Sequence, residues 1–181
     1  RVLATLTATM ALKYTKLHTK PEVAARIIMN ALPKSSDGKE RYATFTIIEI
    51  EPDGQTRIIN YDNPPVLVIR NEKSFQPKEY KLEIRGEENL GKLLRCREFK
   101  AKKEDRVIFM TDGIPQSGLG KKRFPVGWGM GKIEGFILNQ VTRMPNISAT
   151  KLARKVINQA VMNDNFSLKD DSTCGVIYFR E

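Results

Sequence analysis

A single histidine, His18, occurs in the 181 residues, so neither a multi-histidine zinc site nor a catalytic triad drawn from several histidines can be assembled. If the chain is an enzyme, carboxylates must carry its chemistry. Only two cysteines occur, Cys96 and Cys174, with no metal-ligand spacing between them, and they read as free reduced thiols. No apolar run approaches the ~20 residues that span a bilayer, which excludes membrane insertion by a helix. A secretory leader is not apparent either: Arg1 is followed by a Thr- and Ala-rich stretch containing Lys13 and Lys16 rather than an apolar core and cleavage site. These absences favour a cytoplasmic compartment. There is no internal repeat, low-complexity tract or linker.

What is present is ordinary for a globular chain: 40% apolar and 29% charged residues. A single domain over residues 1–181, burying roughly 70% of its unfolded surface, is expected at this length. The net charge of +10 suits a nucleic acid, a membrane surface or an acidic or phosphorylated protein without choosing among them. Seven basic residues run from Lys92 to Arg106, but Glu98, Glu104 and Asp105 interrupt them and Phe99 is the one aromatic in the run. A nucleic-acid groove pairs such charge with stacking platforms, so this run reads as a solvated surface, and nucleic acid is not taken as a partner.

Helical spacing of apolar residues (Leu3, Leu6, Met10; then Val23, Ile27, Met29) with a break at Thr19-Lys20-Pro21 predicts two helices. Pro21 suits a first helical turn, whose amide hydrogens have no partner in any case. Lys34 to Gly38 marks a loop. From Tyr42 β-branched residues take over: YATFTIIEI, the turn Glu51-Pro52-Asp53-Gly54 and QTRIINY form an antiparallel hairpin. Further strands are expected in PPVLVIRN, KEYKLEIR and KLLRCREFKA, and a buried one in VIFMTD. The glycine-rich stretch 113–131 reads as a long irregular loop. Two helices follow, about 132–143 and 148–162, the second with Ser148 as N-cap, and TCGVIYFRE closes the chain as a strand.

Two acidic clusters stand at the ends of apolar strands: Thr111-Asp112-Gly113 after VIFM, and Asp170-Asp171-Ser172-Thr173 before CGVIYF. If the strands are antiparallel neighbours, both sets of carboxylates meet on one sheet edge, an all-oxygen donor set suited to Mg²⁺ or Mn²⁺. On spacing alone the bland alternative stays open, since Asp-Gly after a strand is commonly a plain turn and paired aspartates commonly a solvated loop.

The ordered set YATFTIIEI, a hairpin, IINYDNPPVLVIRN, EDRVIFMTDGI and KDDSTCGVIYF resembles the SpoIIE-like branch of the metal-dependent, type 2C-like protein serine/threonine phosphatases, from about Arg1 to Phe179. The resemblance implies an α/β (α+β) sandwich of mostly antiparallel sheets flanked by helices. It implies a binuclear Mn²⁺ or Mg²⁺ centre with Asp112 and Asp170 as catalytic metal ligands, Gly113 turning the backbone beside the metals, and Asp171 shaping the turn or serving as a second ligand. It implies hydrolysis of phosphoserine or phosphothreonine on a phosphorylated regulatory protein. That family carries an earlier Asp-Gly before a helix resembling VLATLTATMAL, and no Asp-Gly precedes it here; Asp53-Gly54 lies in the later hairpin. A chain starting partway through the domain is the economical explanation, and a pseudophosphatase or regulatory protein-binding module of the same fold is the alternative. A domain with an uncovered sheet edge also favours a homodimer. Asp62-Asn63 stands where relatives have Gly-His and reads as a turn, Lys121, Lys122 and Arg123 read as an attraction for a phosphoprotein or as a solvated loop, and Trp128 reads as a packing anchor.

Overall fold

The computed structural model describes residues 2–17, 19–31, 44–81, 94–167 and 169–180. His18, the loop at 34–38, Tyr42 and most of the segment after Lys81 lie outside them. The chain divides into two compact units, one made of Arg1–Asp62 and Lys78–Lys100, the other of Asn63–Pro77 and Ala101–Glu181.

The first unit opens with the two predicted helices, α1 (Val2–Lys16) and α2 (Pro21–Ala31). Helix α1 closes through the Leu17 and Thr19 amides, which donate to the Lys13 and Tyr14 carbonyls, and α2 starts at Pro21, with the Ala24 amide donating to the Lys20 carbonyl at 3.0 Å. Then come β1 (Phe45–Ile50) and β2 (Gln55–Tyr61), paired with Phe45 opposite Tyr61 and Ile50 opposite Thr56. The turn between them is held by the Gly54 amide on the Glu51 carbonyl at 2.9 Å, with Gly54 at φ +87°, a conformation that costs glycine nothing. The sheet orders β1-β2-β6-β5, where β5 is Lys78–Lys81 and β6 is Leu94–Lys100. Ala25 and Ile28 of α2 bury against Phe45, Ile59, Tyr61, Leu94 and Cys96, with Tyr14 and Met10 of α1 at the margin.

The second unit contains β3 (Leu67–Arg70), β4 (Lys73–Phe75), β7 (Arg106–Met110) and β8 (Cys174–Tyr178), in the antiparallel order β4-β3-β7-β8. Helices α4 (Met130–Arg143) and α5 (Ala149–Asn163) bury Ile133, Ile137, Val141 and Leu152, Val156, Ala160 at four-residue spacing, each a single apolar stripe. Ser148 caps α5, its hydroxyl accepting the Lys151 amide at 3.2 Å. These stripes meet Leu67, Ile69, Ile108 and Met110 in one core, where each fully buried Ile or Leu stabilises the fold by roughly 1.5–3 kcal/mol. Two antiparallel sheets with helices on them are the architecture expected of the sequence.

Three local features differ from the sequence reading. The stretch 113–131 is ordered, not irregular throughout: α3 (Gly113–Gln116) begins it, α4 has started by Met130, and Phe124 and Trp128 are buried between. Strand β4 was not expected; it returns from β3 through Asn71 and Glu72, both at positive φ, without the glycine that normally signals such a turn. The basic run ends in burial, not solvent, at Asp105 and Arg106. Asp105 accepts Arg70 Nε at 2.9 Å and the Lys102 amide at 2.8 Å, and the Arg106 guanidinium lies 4.1 Å from the Tyr178 ring centroid and donates to the Pro145 carbonyl. A charge so buried needs these partners.

Candidate metal centre

Strand β7 ends at Met110 opposite Cys174, the first residue of β8. One residue beyond that pair Thr111 joins the two acidic turns. Its amide donates to the Thr173 carbonyl at 3.0 Å. Its hydroxyl donates to the Asp171 carbonyl at 3.0 Å and accepts the Thr173 amide at 2.9 Å. The carboxyl end of β7 and the amino end of β8 are thereby stitched together, and the two aspartate clusters lie on one edge of one sheet.

Asp112 follows at once. It sits at the N-cap of α3 with helical backbone angles and makes no side-chain capping bond. Among the described residues its carboxylate takes only a long 3.4 Å hydrogen bond from Gln116 Nε2. Gly113 is buried against the other turn: a Cβ there would stand 2.6 Å from the Asp171 carbonyl oxygen and 2.8 Å from Ser172 Oγ. Only glycine lets the backbone approach this closely. On the other side Asp170 accepts the Asp171 amide on its Oδ1 at 2.8 Å, and Ser172 Oγ donates to the Asp170 carbonyl at 3.2 Å, a self-bonded aspartate turn.

Asp112, Asp170 and Asp171 are all exposed, and among the described residues none of them forms an ion pair. Exposed carboxylates on two turns stitched at one sheet edge suit a hard divalent cation in donor type. Among the described residues no group of three or more His, Cys, Asp or Glu is placed to hold a metal, so the donor type fits Mn²⁺ or Mg²⁺ while the described residues do not by themselves complete a binuclear shell.

Of the other residues singled out, Trp128 is a packing anchor, buried and edge-on to Phe136 at 5.4 Å between centroids. Lys121 is fastened, its Nζ donating to the Asn163 carbonyl, whereas Lys122 and Arg123 are exposed. Asp62 turns at φ +50°. Cys96 and Cys174 are free thiols, and burial raises Cys96 to about 12 and Cys174 to about 11, so both are protonated and unreactive near neutrality. Sequence reasoning missed the Thr111 stitch; a threonine directly before the strand-end aspartate was its only trace.

Residues 1–180 match the model of the family described as Stage II sporulation protein E (SpoIIE). No curated protein matches the sequence. Among solved structures, the chain is similar to the phosphatase domain of the cell fate determinant SpoIIE from Bacillus subtilis, presoaked with Mn, at TM-score 0.64 and 16% identity over 97% of this chain and 72% of that one. It is similar to the RsbU and RsbW domains of Rv1364c from Mycobacterium tuberculosis at TM-score 0.72 and 14% identity, over 99% of this chain and 47% of that one. The photosystem II phosphatase PBCP is a further likeness, at TM-score 0.53 and 16% identity over 88% and 58% of the two chains. At these identities the likeness establishes a shared fold.

Proposed function

This chain belongs to the SpoIIE family, and on that premise we propose that it is a metal-dependent protein serine/threonine phosphatase, one domain over residues 1–181, acting on a phosphorylated regulatory protein in the cytoplasm. The observation that carries the reading is the Thr111 stitch, which sets Asp112 and the Asp170–Asp171 turn on the same edge of one sheet. The solved SpoIIE relative is a phosphatase domain prepared with Mn, and the exposed carboxylates here are of the type that holds Mn²⁺ or Mg²⁺.

Asp112 and Asp170 hold the metal in this reading, with Asp171 adjacent, and Gly113 keeps the Asp112 turn against the Asp171 carbonyl. When bound, the cations neutralise phosphoryl oxygens and lower the pKa of water. The reaction is in-line hydrolysis: water oxygen bonds to phosphorus, the bond from phosphorus to the seryl or threonyl oxygen breaks, and that oxygen takes a proton, leaving the free hydroxyl and inorganic phosphate. Lys169, next to Asp170 in the chain, and the exposed Lys122 and Arg123 supply positive charge for a phosphoprotein. Among the described residues no helix is long and apolar enough to cross a membrane.

Mn²⁺-dependent hydrolysis of a phosphoserine peptide by the parent protein and by Asp112→Asn and Asp170→Asn tests the reading. Activity in the parent, lost in both variants with melting temperatures unchanged, is the expected outcome; full activity in a folded Asp112→Asn protein overturns it. A pseudophosphatase that binds its partner without hydrolysis is favoured by one observation, the lack of a three-member ligand group among the described residues. Parent protein that neither binds Mn²⁺ nor hydrolyses the peptide selects that second reading. Self-association through a sheet edge belongs to the same proposal, and sedimentation of the protein decides it.

A further inference from the structure

Further along the chain from the Thr111 stitch, the same two stretches are tied a second time. Asp164, the residue that ends α5, accepts the Gly118 amide on Oδ1 at 2.7 Å. Beside it Asn163 donates from Nδ2 to Ser117 Oγ at 3.2 Å and accepts Gln159 Nε2 on Oδ1 at 3.0 Å, and its carbonyl takes the Lys121 ammonium. These ties are interior: Ser117 is 1%, Asn163 6% and Asp164 7% exposed. A carboxylate in such a place is held by its hydrogen bond and costs stability without it.

The partner amide is available because of glycine. Gly118 sits at φ +76°, and a Cβ there would also meet Phe124 at 2.8 Å, so the backbone is shaped to present its N–H to α5. The segment leading to it is backed from the other direction, since the Trp128 amide donates to the Ser117 carbonyl and the Gly129 amide to the Pro115 carbonyl, each at 2.9 Å.

The two stretches that carry the acidic turns are therefore tied at two places, by Thr111 with Asp171 and Thr173 and by Ser117 and Gly118 with Asn163 and Asp164. We propose that Asp164 is a positioning residue for the two acidic turns: by holding Gly118 to the end of α5 it fixes the Asp112 turn relative to the Asp170 turn, and its own carboxylate binds neither metal nor substrate. For its activity readouts the proposal rests on the phosphatase reading; for its structural readout it does not.

The test compares the parent protein with Asp164→Ala and Asp164→Asn, the latter keeping an oxygen acceptor for Gly118. Three quantities are read: amide hydrogen exchange at 111–114 and 170–173, Mn²⁺ affinity by titration calorimetry with the metal alone, and kcat against KM for a phosphoserine peptide. Asp164→Ala is expected to speed exchange at both acidic turns, to weaken Mn²⁺ binding and kcat about ten- to hundredfold as the loss of an outer supporting contact does, and to leave KM unchanged; Asp164→Asn restores most of each. Faster exchange confined to 117–121, with Mn²⁺ affinity at the parent value, overturns the proposal. If Asp164→Ala does not fold, Ser117→Ala, which deletes only the Asn163 contact, is expected to show smaller changes at the same amides, and no change there counts against it. A parent protein with neither Mn²⁺ binding nor hydrolysis defeats the phosphatase reading, and the exchange pattern still decides the positioning role.

Discussion

Gly113 stands so close to Asp171 that an added Cβ would lie 2.6 Å from the Asp171 carbonyl oxygen, and that carbonyl is the one that accepts the Thr111 hydroxyl. The two acidic turns are thus in backbone contact as well as hydrogen-bonded.

Gly113→Ala forces these turns apart. The expected cost is about 1–3 kcal/mol, as for overpacking generally, together with loss of Mn²⁺-dependent hydrolysis. Gly135→Ala is the control: it lies inside α4 with nothing within 4 Å of its Cβ position, and the helix is expected to gain about 0.5–1 kcal/mol. Urea denaturation of the two variants measures the contrast.

Thr111→Val keeps the shape of the side chain and removes its hydroxyl, leaving the Thr173 amide without that acceptor. The bond is exposed, so water can take its place, and a loss of about 0.5–1.5 kcal/mol is expected, with hydrolysis reduced in step. Thr111→Ser retains the hydroxyl and is expected to recover most of both, as read by thermal melts and initial rates.

Two arginines separate buried from exposed ion pairing. Arg70 holds the Asp105 carboxylate, 0% exposed, through Nε at 2.9 Å and a second nitrogen at 2.6 Å; Arg70→Met strands that charge and is expected to cost about 3–5 kcal/mol. Arg57 pairs with Glu49, Glu51 and Glu98, whose side chains are 36%, 46% and 35% exposed. Arg57→Met is expected to cost about 1 kcal/mol or less per pair, shrinking as salt is added. Denaturation at low and high ionic strength distinguishes the two.

How much of this was legible beforehand follows punctuation. Pro21, Asp53-Gly54 and Ser148 mark a helix start, a hairpin and a helix cap, and the structure has all three. The strands carrying Asp112 and Asp170 were recognisable because each is an apolar run closed by acid. Strand β4 was not, since Asn71 and Glu72 turn at positive φ without glycine. Nor was the order of the stretch 113–131, where frequent glycine concealed the buried Phe124, although Trp128 was legible as a packing anchor. Asp105 looked like one more surface acid, because its burial depends on Arg70, 35 residues away. The same holds for Asp164 and Gly118, 46 residues apart: a pairing across such a distance leaves no local signature.

The thiols set an alkaline limit on stability. Burial raises Cys174 to about 11 and Cys96 to about 12, against about 8.5 in an unfolded chain. Below the unfolded value both states are protonated and the contribution is full. As pH rises from there toward the folded values the unfolded chain releases protons first, so stability falls between about pH 8.5 and 12. Unfolding free energies from pH 7 to 10.5 check the slope, and Cys96→Ala with Cys174→Ala is expected to flatten it.

The Thr111–Thr173 hydrogen bond closes a loop of 62 residues, whereas the contacts between α4 and α5 and within the β1–β2 hairpin are local. Long loops are closed late, because their entropy must be overcome before the contact rewards it. The acidic edge is therefore expected to be among the later parts of its unit to assemble during folding, which stopped-flow refolding of Thr111→Val checks: an unchanged folding rate with faster unfolding. An ion that binds only the closed edge acts after the rate-limiting barrier, so it slows unfolding and leaves the rate of folding nearly unchanged.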